Sequence, residues 1–243
     1  MPVAAKKPLS DTEVAALNAR FEKATPQEVL AWALGEFGNR IALAWSGAED
    51  VAVYDMMWRI DKSCRVFTLD TGRLNPETYD LIDKVTVKYG VKVEVMFPNT
   101  AAVEKMVGEK GINLFYESLE NRKQCCGVRK VEPLNRMLAT LDGWITGLRR
   151  AQAVTRGTLA KIEIDKDHDG IVKLNPLADW TTQQVFDYMA ANKVPKNKLH
   201  EQGYPSIGCA PCTRAIKPGE DERAGRWWWE NPEHKECGLH VKK

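Results

Sequence analysis

Ile41-Ala42-Leu43-Ala44-Trp45-Ser46-Gly47-Ala48-Glu49-Asp50 decides the fold. Five apolar residues run without interruption and stop at a Ser-Gly turn, the pattern of a buried strand. Residues 49–59 then read as a helix. A strand, a tight turn and a helix start make a cradle of backbone N–H groups at a positive helix end, suited to an anion. Moving outward, residues 66–69 read as a second strand that ends at Asp70-Thr71-Gly72. Residues 76–89 form a helix closed by Gly90. Residues 91–97 make a third strand stopped by Pro98, residues 100–109 a helix, and residues 144–146 a fourth strand ending at Gly147. This alternation predicts an α/β fold, a doubly wound parallel sheet covered on both faces. Ligands in such folds bind beyond the carboxyl ends of the strands. Residues 46–50, 69–73 and 147–150 should therefore converge on one site.

The flanks are as readable. Residues 11–23 and 26–37 are two amphipathic helices. Ser10 or Asp11 caps the first; Thr25, Pro26 and Glu28 supply a cap, a first-turn proline and a capping box for the second. Residues 161–174 resemble a hairpin turning at Asp167-His168-Asp169-Gly170, with too few following ligands for a calcium loop. Residues 181–192 form a helix opened by Thr181 and Gln184 as a capping box. Beyond Val194 the chain is rich in Pro, Gly and charge.

Composition narrows the class. With 243 residues, 44% hydrophobic, the chain can bury one sizeable core and carry a functional tail. A net charge of only +2 argues against a nucleic-acid or anionic-membrane partner. Residues 1–10 lack the apolar core of a signal peptide, and no apolar run reaches the length of a membrane span. The expected compartment is the cytoplasm, where structural disulfides are rare, so the six cysteines need another explanation.

Cys125-Cys126 and Cys209-Ala210-Pro211-Cys212 can fold together into a four-sulfur site. Soft thiolates select zinc or iron–sulfur clusters. The second pair has the spacing usual in zinc sites; the adjacent first pair does not, and suits a bulkier cluster better than one tetrahedral ion. Cys237 stands apart in a polar tail near His240, where it reads either as a free surface thiol or as a thiolate nucleophile. Cys64 opens a strand and reads as a packed, inert thiol. Trp227-Trp228-Trp229 reads as core packing, with a docking surface as the other reading; the surrounding acidic residues speak against a nucleic-acid stacking platform.

Three segments carry a resemblance. Gln124-Cys125-Cys126-Gly127-Val128-Arg129-Lys130-Val131-Glu132-Pro133-Leu134, Gly208-Cys209-Ala210-Pro211-Cys212-Thr213 and Lys235-Glu236-Cys237-Gly238-Leu239-His240 resemble, in order, the Cys-Cys segment, the second cluster segment and the catalytic tail of the adenylyl-sulfate (APS) and 3′-phosphoadenylyl-sulfate (PAPS) reductase family, on its APS side. The turn at Ser46-Gly47 resembles the pyrophosphate loop of adenine-nucleotide alpha-hydrolases. That loop usually reads Ser-Gly-Gly-x-Asp-Ser; Ala48 and Val51 depart from it, which argues against ATP cleavage and fits a smaller phosphosulfate group.

The resemblance implies one 4Fe–4S cluster on Cys125, Cys126, Cys209 and Cys212, and catalysis by Cys237 with His240. It implies substrate contacts from Ser46, Gly47, Ala48, Glu49, Asp50, Leu69, Thr71, Gly72, Lys130, Gly147, Arg149, Arg156, Arg223 and Arg226. Lys130, Arg223 and Arg226 belong nearest the phosphosulfate, Arg149 or Arg156 nearest the nucleotide end, and Leu69, Thr71 and Gly72 beside the adenosine. Guanidinium groups suit sulfate and phosphate oxygens. The implied reaction is thioredoxin-dependent reduction of APS to sulfite and AMP, in sulfate assimilation, through a sulfo adduct on Cys237. The reductant, thioredoxin or a glutaredoxin-like protein, is expected to come from another chain, because this one ends six residues after Cys237. The expected organisation is one domain over 1–243: helices 1–38, a nucleotide-binding and cluster core 39–215, and a C-terminal segment 216–243 ending in a mobile catalytic tail that closes over bound APS. Oligomeric state, a homo-oligomer included, is left open. The rivals are a PAPS or dual-specificity reductase, a tRNA-thiolating iron–sulfur enzyme and a zinc-stapled binding module. The tRNA enzyme should carry the full pyrophosphate loop and a basic face; zinc without sulfide marks the binding module.

Overall fold

The structure is a computed structural model that describes residues 8–152 and 157–231. Its centre is a six-stranded sheet in the order β3-β2-β1-β4-β6-β5. The strands are β1 (Ile41–Trp45), β2 (Arg65–Leu69), β3 (Glu94–Met96), β4 (Gly143–Ile145), β5 (Ile162–Asp165) and β6 (Ile171–Leu174). All pairs are parallel except β5–β6, so the predicted parallel sheet carries one antiparallel edge. The hairpin is where it was expected, but it joins the main sheet through β6, which pairs with β4.

The helices are α1 (Asp11–Phe21), α2 (Pro26–Phe37), α3 (Val51–Ile60), α4 (Pro76–Tyr89), α5 (Thr100–Lys110), α6 (Leu119–Cys126), α7 (Glu132–Leu138) and α8 (Thr182–Ala191). The capping boxes at Ser10/Glu13, Thr25/Glu28 and Thr181/Gln184 all form, each satisfying backbone N–H groups that a helix start leaves open. One face of the sheet packs on Val29, Leu30, Val51, Tyr54, Met57, Val85 and Val185 from α2, α3, α4 and α8. The other face meets Leu134, Met137 and Leu138 of α7 through Ala42, Phe67 and Trp144. Both faces are covered, which is why β1 is apolar throughout.

One sheet edge is closed by a side chain: Asn18 of α1 donates to Ile162 O at 2.8 Å and accepts from Ile162 N at 3.1 Å, imitating a paired strand. Boundaries differ from the sequence reading in two informative places. α3 begins at Val51, because Glu49 and Asp50 belong to the turn, and β3 is shorter than expected. Residues 112–138, for which the sequence suggested no element, hold α6, a π-helical turn at Gly127–Val131 and α7.

Candidate active site

The chain turns at Ser46 and Gly47 immediately beyond β1. Gly47 adopts φ +78°, and a Cβ there would lie 2.5 Å from Thr78 Cγ2, so only glycine fits. The turn is held from within. Ser46 N donates to Asp50 Oδ2 at 2.5 Å, and Ala48 N donates to Asp50 Oδ1 at 3.2 Å. Two N–H groups of the expected anion cradle are thus occupied by the loop's own carboxylate. Burial pushes the Asp50 carboxyl up to about 7, against the lowering effect of these hydrogen bonds.

Above the turn lies a cavity of about 210 Å³, at the carboxyl ends of β1, β2 and β4. Ser46, Ala48, Glu49, Asp50, Leu69, Thr71, Lys130, Gly147, Arg223 and Arg226, all among the expected substrate contacts, line it. Phe67, Leu134 and Trp144 give it an apolar wall. Three of the expected contacts stand back from that wall. Gly47 and Gly72 shape the turns: Gly47 O accepts from Asn197 Nδ2 at 2.8 Å, and Gly72 N donates to Asp70 Oδ1 at 2.8 Å. Arg149 is 1% exposed and pairs with Glu49, a residue of the cavity lining, at 2.8 Å, while its Nε and Nη1 are buried without a partner among the described residues. Arg156, Cys237 and His240 lie outside the described residues, as does the expected tail from 232 onward.

Cys125, Cys126, Cys209 and Cys212 line one small pocket, together with Arg73, Arg122, Arg129, Lys130, Arg226 and Trp227. α6 delivers the first pair and a 3-10 turn at Ala210–Cys212 the second. The segments are tied to the end of β2: Thr71 Oγ1 lies 3.3 Å from Cys209 Sγ, Arg129 donates to Thr71 O at 2.6 Å, and Ala210 N donates to Arg73 O at 2.8 Å. Burial pushes the Cys212 thiol up to about 12 and raises Cys125, while Lys130, Arg129, Arg226 and Arg73 work in the opposite direction. Ionised thiolates here therefore need further positive charge, which a bound metal supplies as protons leave. Among the described residues, no three His, Cys, Asp or Glu side chains stand close enough to hold a metal ion. The donor set nevertheless fits a sulfur-bound group. Four thiols share an apolar pocket, and Trp227 Nε1–H is buried without an acceptor among the described residues. An N–H donor of that kind suits a sulfide or thiolate.

Lys130 and Arg226 line both the cavity and the thiol pocket. Lys130 reaches this wall from the π-helical turn that follows Cys126, a distortion frequent at functional sites. Sequence reasoning missed several wall residues: Thr146, Gln152, Ser206, Ile207 and Glu222. Only the Pro205-Ser206-Ile207-Gly208 lead into Cys209 offered a signal, as turn-forming residues beside a motif. Cys64 is 6% exposed, and burial pushes its thiol up to about 12, as expected for an inert packed cysteine. Of the tryptophan run, Trp227 is buried and Trp228 is 39% exposed. Among the described residues, no helix is long and apolar enough to cross a membrane.

Comparison with known proteins agrees with this geometry. Residues 40–215 match the phosphoadenosine phosphosulfate reductase domain. An adenosine 5′-phosphosulfate reductase of Burkholderia cepacia is 52% identical over 209 residues, covering 86% of this chain and 83% of the relative. Its counterpart in Pseudomonas aeruginosa is 45% identical over 234 residues, 94% of this chain and 87% of the relative. The solved structure of a phosphoadenylyl-sulfate reductase from Candida auris, in a phosphate complex, superposes with a TM-score of 0.75 at 29% identity, covering 87% of this chain and 100% of that one. On these matches the chain belongs to the phosphoadenosine phosphosulfate reductase family, with curated bacterial relatives named adenosine 5′-phosphosulfate reductases.

Proposed function

We propose that this protein is an oxidoreductase of sulfate assimilation that reduces APS to sulfite and AMP. The observation that carries this reading is the shared wall: Lys130 and Arg226 line the cavity at the strand ends on one side and the pocket of four cysteines on the other. The names of the bacterial relatives support APS as substrate. The adenosine suits the apolar wall of Phe67, Leu134 and Trp144, and the phosphosulfate suits the end lined by Lys130, Arg223 and Arg226.

Cys125, Cys126, Cys209 and Cys212 would hold a 4Fe–4S cluster. Bound there, such a cluster would offset part of the negative charge of the four thiolates and tie the two cysteine segments together beside Lys130 and Arg226. The chain's own residues do the rest. The Cys237 thiolate attacks the sulfur of APS, forming an S–S bond while the sulfur–oxygen bond to phosphate breaks. AMP leaves with that electron pair, and Lys130, Arg223 and Arg226 offset the charge developing on its phosphate. His240 is suited to hold Cys237 as its thiolate. A dithiol reductant of the thioredoxin or glutaredoxin type then attacks Cys237 Sγ, sulfite departs with the electron pair of the S–S bond, and the second thiol resolves the mixed disulfide. A low-potential dithiol, near roughly −270 mV for thioredoxin, suits that step. A cytoplasmic setting keeps these thiols reduced.

Purified without oxygen and given thioredoxin, the protein should release sulfite from APS, with PAPS run in parallel. Faster turnover of PAPS than of APS would place it with the PAPS-reducing branch. Iron and inorganic sulfide should be present in equal amounts; stoichiometric zinc without sulfide would reject the cluster.

A further inference from the structure

The Trp227-Trp228-Trp229 run is a conspicuous feature that the reaction above leaves unused. Trp227 is 1% exposed and adopts φ +41°. A bulky residue keeps a positive φ only where its surroundings over-determine it. The guanidinium carbons of Arg122 and Arg226 lie 4.8 and 4.6 Å from its ring centroid. Its backbone N–H donates to Cys212 O at 3.1 Å. Arg122 in turn grips Glu230, with Nε donating to Oε1 at 2.9 Å and Nη2 to Oε2 at 2.8 Å. Those side chains are only 2% and 8% exposed. Arg122 also faces Cys126: burial works against its charge, but Glu230 and Cys126 hold the guanidinium above its ordinary range. On the other side, Arg226 Nη1 donates to Ser206 Oγ at 3.2 Å and Ile207 O at 3.1 Å. Its guanidinium lies against Gly208, where a Cβ would come within 2.5 Å of Nη2.

We propose that Arg122, Trp227 and Glu230 form a clamp that positions Arg226 on the wall between the thiol pocket and the substrate cavity. The inference rests on the sulfonucleotide reading above and adds positioning residues to it. A planar guanidinium recognises an oxyanion bidentately only when its plane is fixed, and a desolvated indole face is a strong way to fix it. Two guanidinium groups on one ring repel each other, and Glu230 neutralises the one that does not face the cavity. Removing Glu230 leaves two buried cations sharing the indole, so the clamp loosens even though Trp227 stays.

The test is calorimetric titration of AMP and of APS into a Cys237→Ser parent, which binds without turning over. Iron, sulfide and Tm are recorded for every variant. Trp227→Leu should weaken APS binding about tenfold, and Trp227→Phe, which keeps an aromatic face, by about twofold or less. Glu230→Gln should weaken it in the same direction. In double-mutant cycles, either loss should be less than additive with Arg226→Lys and additive with Arg223→Ala. Unchanged affinity, or full additivity with Arg226→Lys, would overturn the clamp. Should Trp227→Leu not fold, the Glu230→Gln cycle decides by the same criterion. A parent that binds AMP but not APS contradicts the functional reading instead, and the cycles on AMP still decide the clamp.

Discussion

Asp50 is the residue whose behaviour departs most from its sequence pattern. In sequence it reads as part of an anion cradle; in the fold its carboxylate fills part of that cradle by accepting from Ser46 N and Ala48 N. An ionised Asp50 therefore opposes a bound phosphate, and a neutral one does not. With burial raising it to about 7, AMP affinity should fall as pH rises through that value. The phosphomonoester of AMP titrates near roughly pH 6, so the comparison that isolates Asp50 is the wild type against Asp50→Asn. The variant should lack the part of the pH dependence centred near 7; identical profiles would show that Asp50 stays charged or stays clear of the ligand. The sign for stability follows. The folded value lies above the ordinary 3.8, so Asp50's contribution is full below that pH and lost as pH rises through 7. Asp50→Asn should accordingly gain in Tm relative to the wild type above pH 7. Arg223 has the simpler role. Its Ala variant should bind APS roughly 10- to 100-fold more weakly, the worth of one charged hydrogen bond, and an unchanged Kd would remove it from the site. The resemblance implied Arg223 and Arg226, but the sequence could not show that Arg149, equally basic, is buried against Glu49. Charge is visible in a sequence; the direction in which a side chain faces is not.

The helices with capping boxes were legible because their signals are local: Thr25-Pro26 and Glu28 specify a helix start within four residues. α6 was illegible for the opposite reason. Leu-Glu-Asn-Arg-Lys-Gln-Cys-Cys has almost no apolar periodicity, and its place is set by what α6 supports, the buried Arg122 and the cysteine pair. Pro133 in the first turn of α7, next to the π-helical turn, hid the continuation. The turn after β1 gives the sharpest prediction about an element. Gly47→Ala must either abandon φ +78° or push Thr78 aside, and Thr78 is itself 1% exposed. The variant should lose about 1–3 kcal/mol of stability and bind AMP more weakly, read by thermal melting and titration. A melting curve that matches the wild type would mean that the turn is freer than its geometry indicates.

Across the molecule, the sheet brings residues from five distant segments to one wall: the β1 turn, the end of β2, the π-helical turn, the end of β4 with the residues after it, and residues 205–226. The doubly wound core and the position of the cavity followed from strand–helix alternation. The sixth strand did not, because a hairpin looks the same whether it stands alone or pairs with a neighbouring strand. The cysteine pocket ties the late segment to the core, so Cys126→Ser or Cys209→Ser should lose iron and sulfide and lower Tm together. Retained iron in both variants would contradict the assigned ligands. Cys237 lies outside the described residues, and the proposed reaction turns on its attack. The most direct measurement is incubation of the protein with APS and no reductant, followed by peptide mass spectrometry and AMP quantification. The expected result is one AMP released per chain and a sulfo group on Cys237, discharged as sulfite when thioredoxin is added; AMP release with the adduct on another cysteine, or with none, would contradict it.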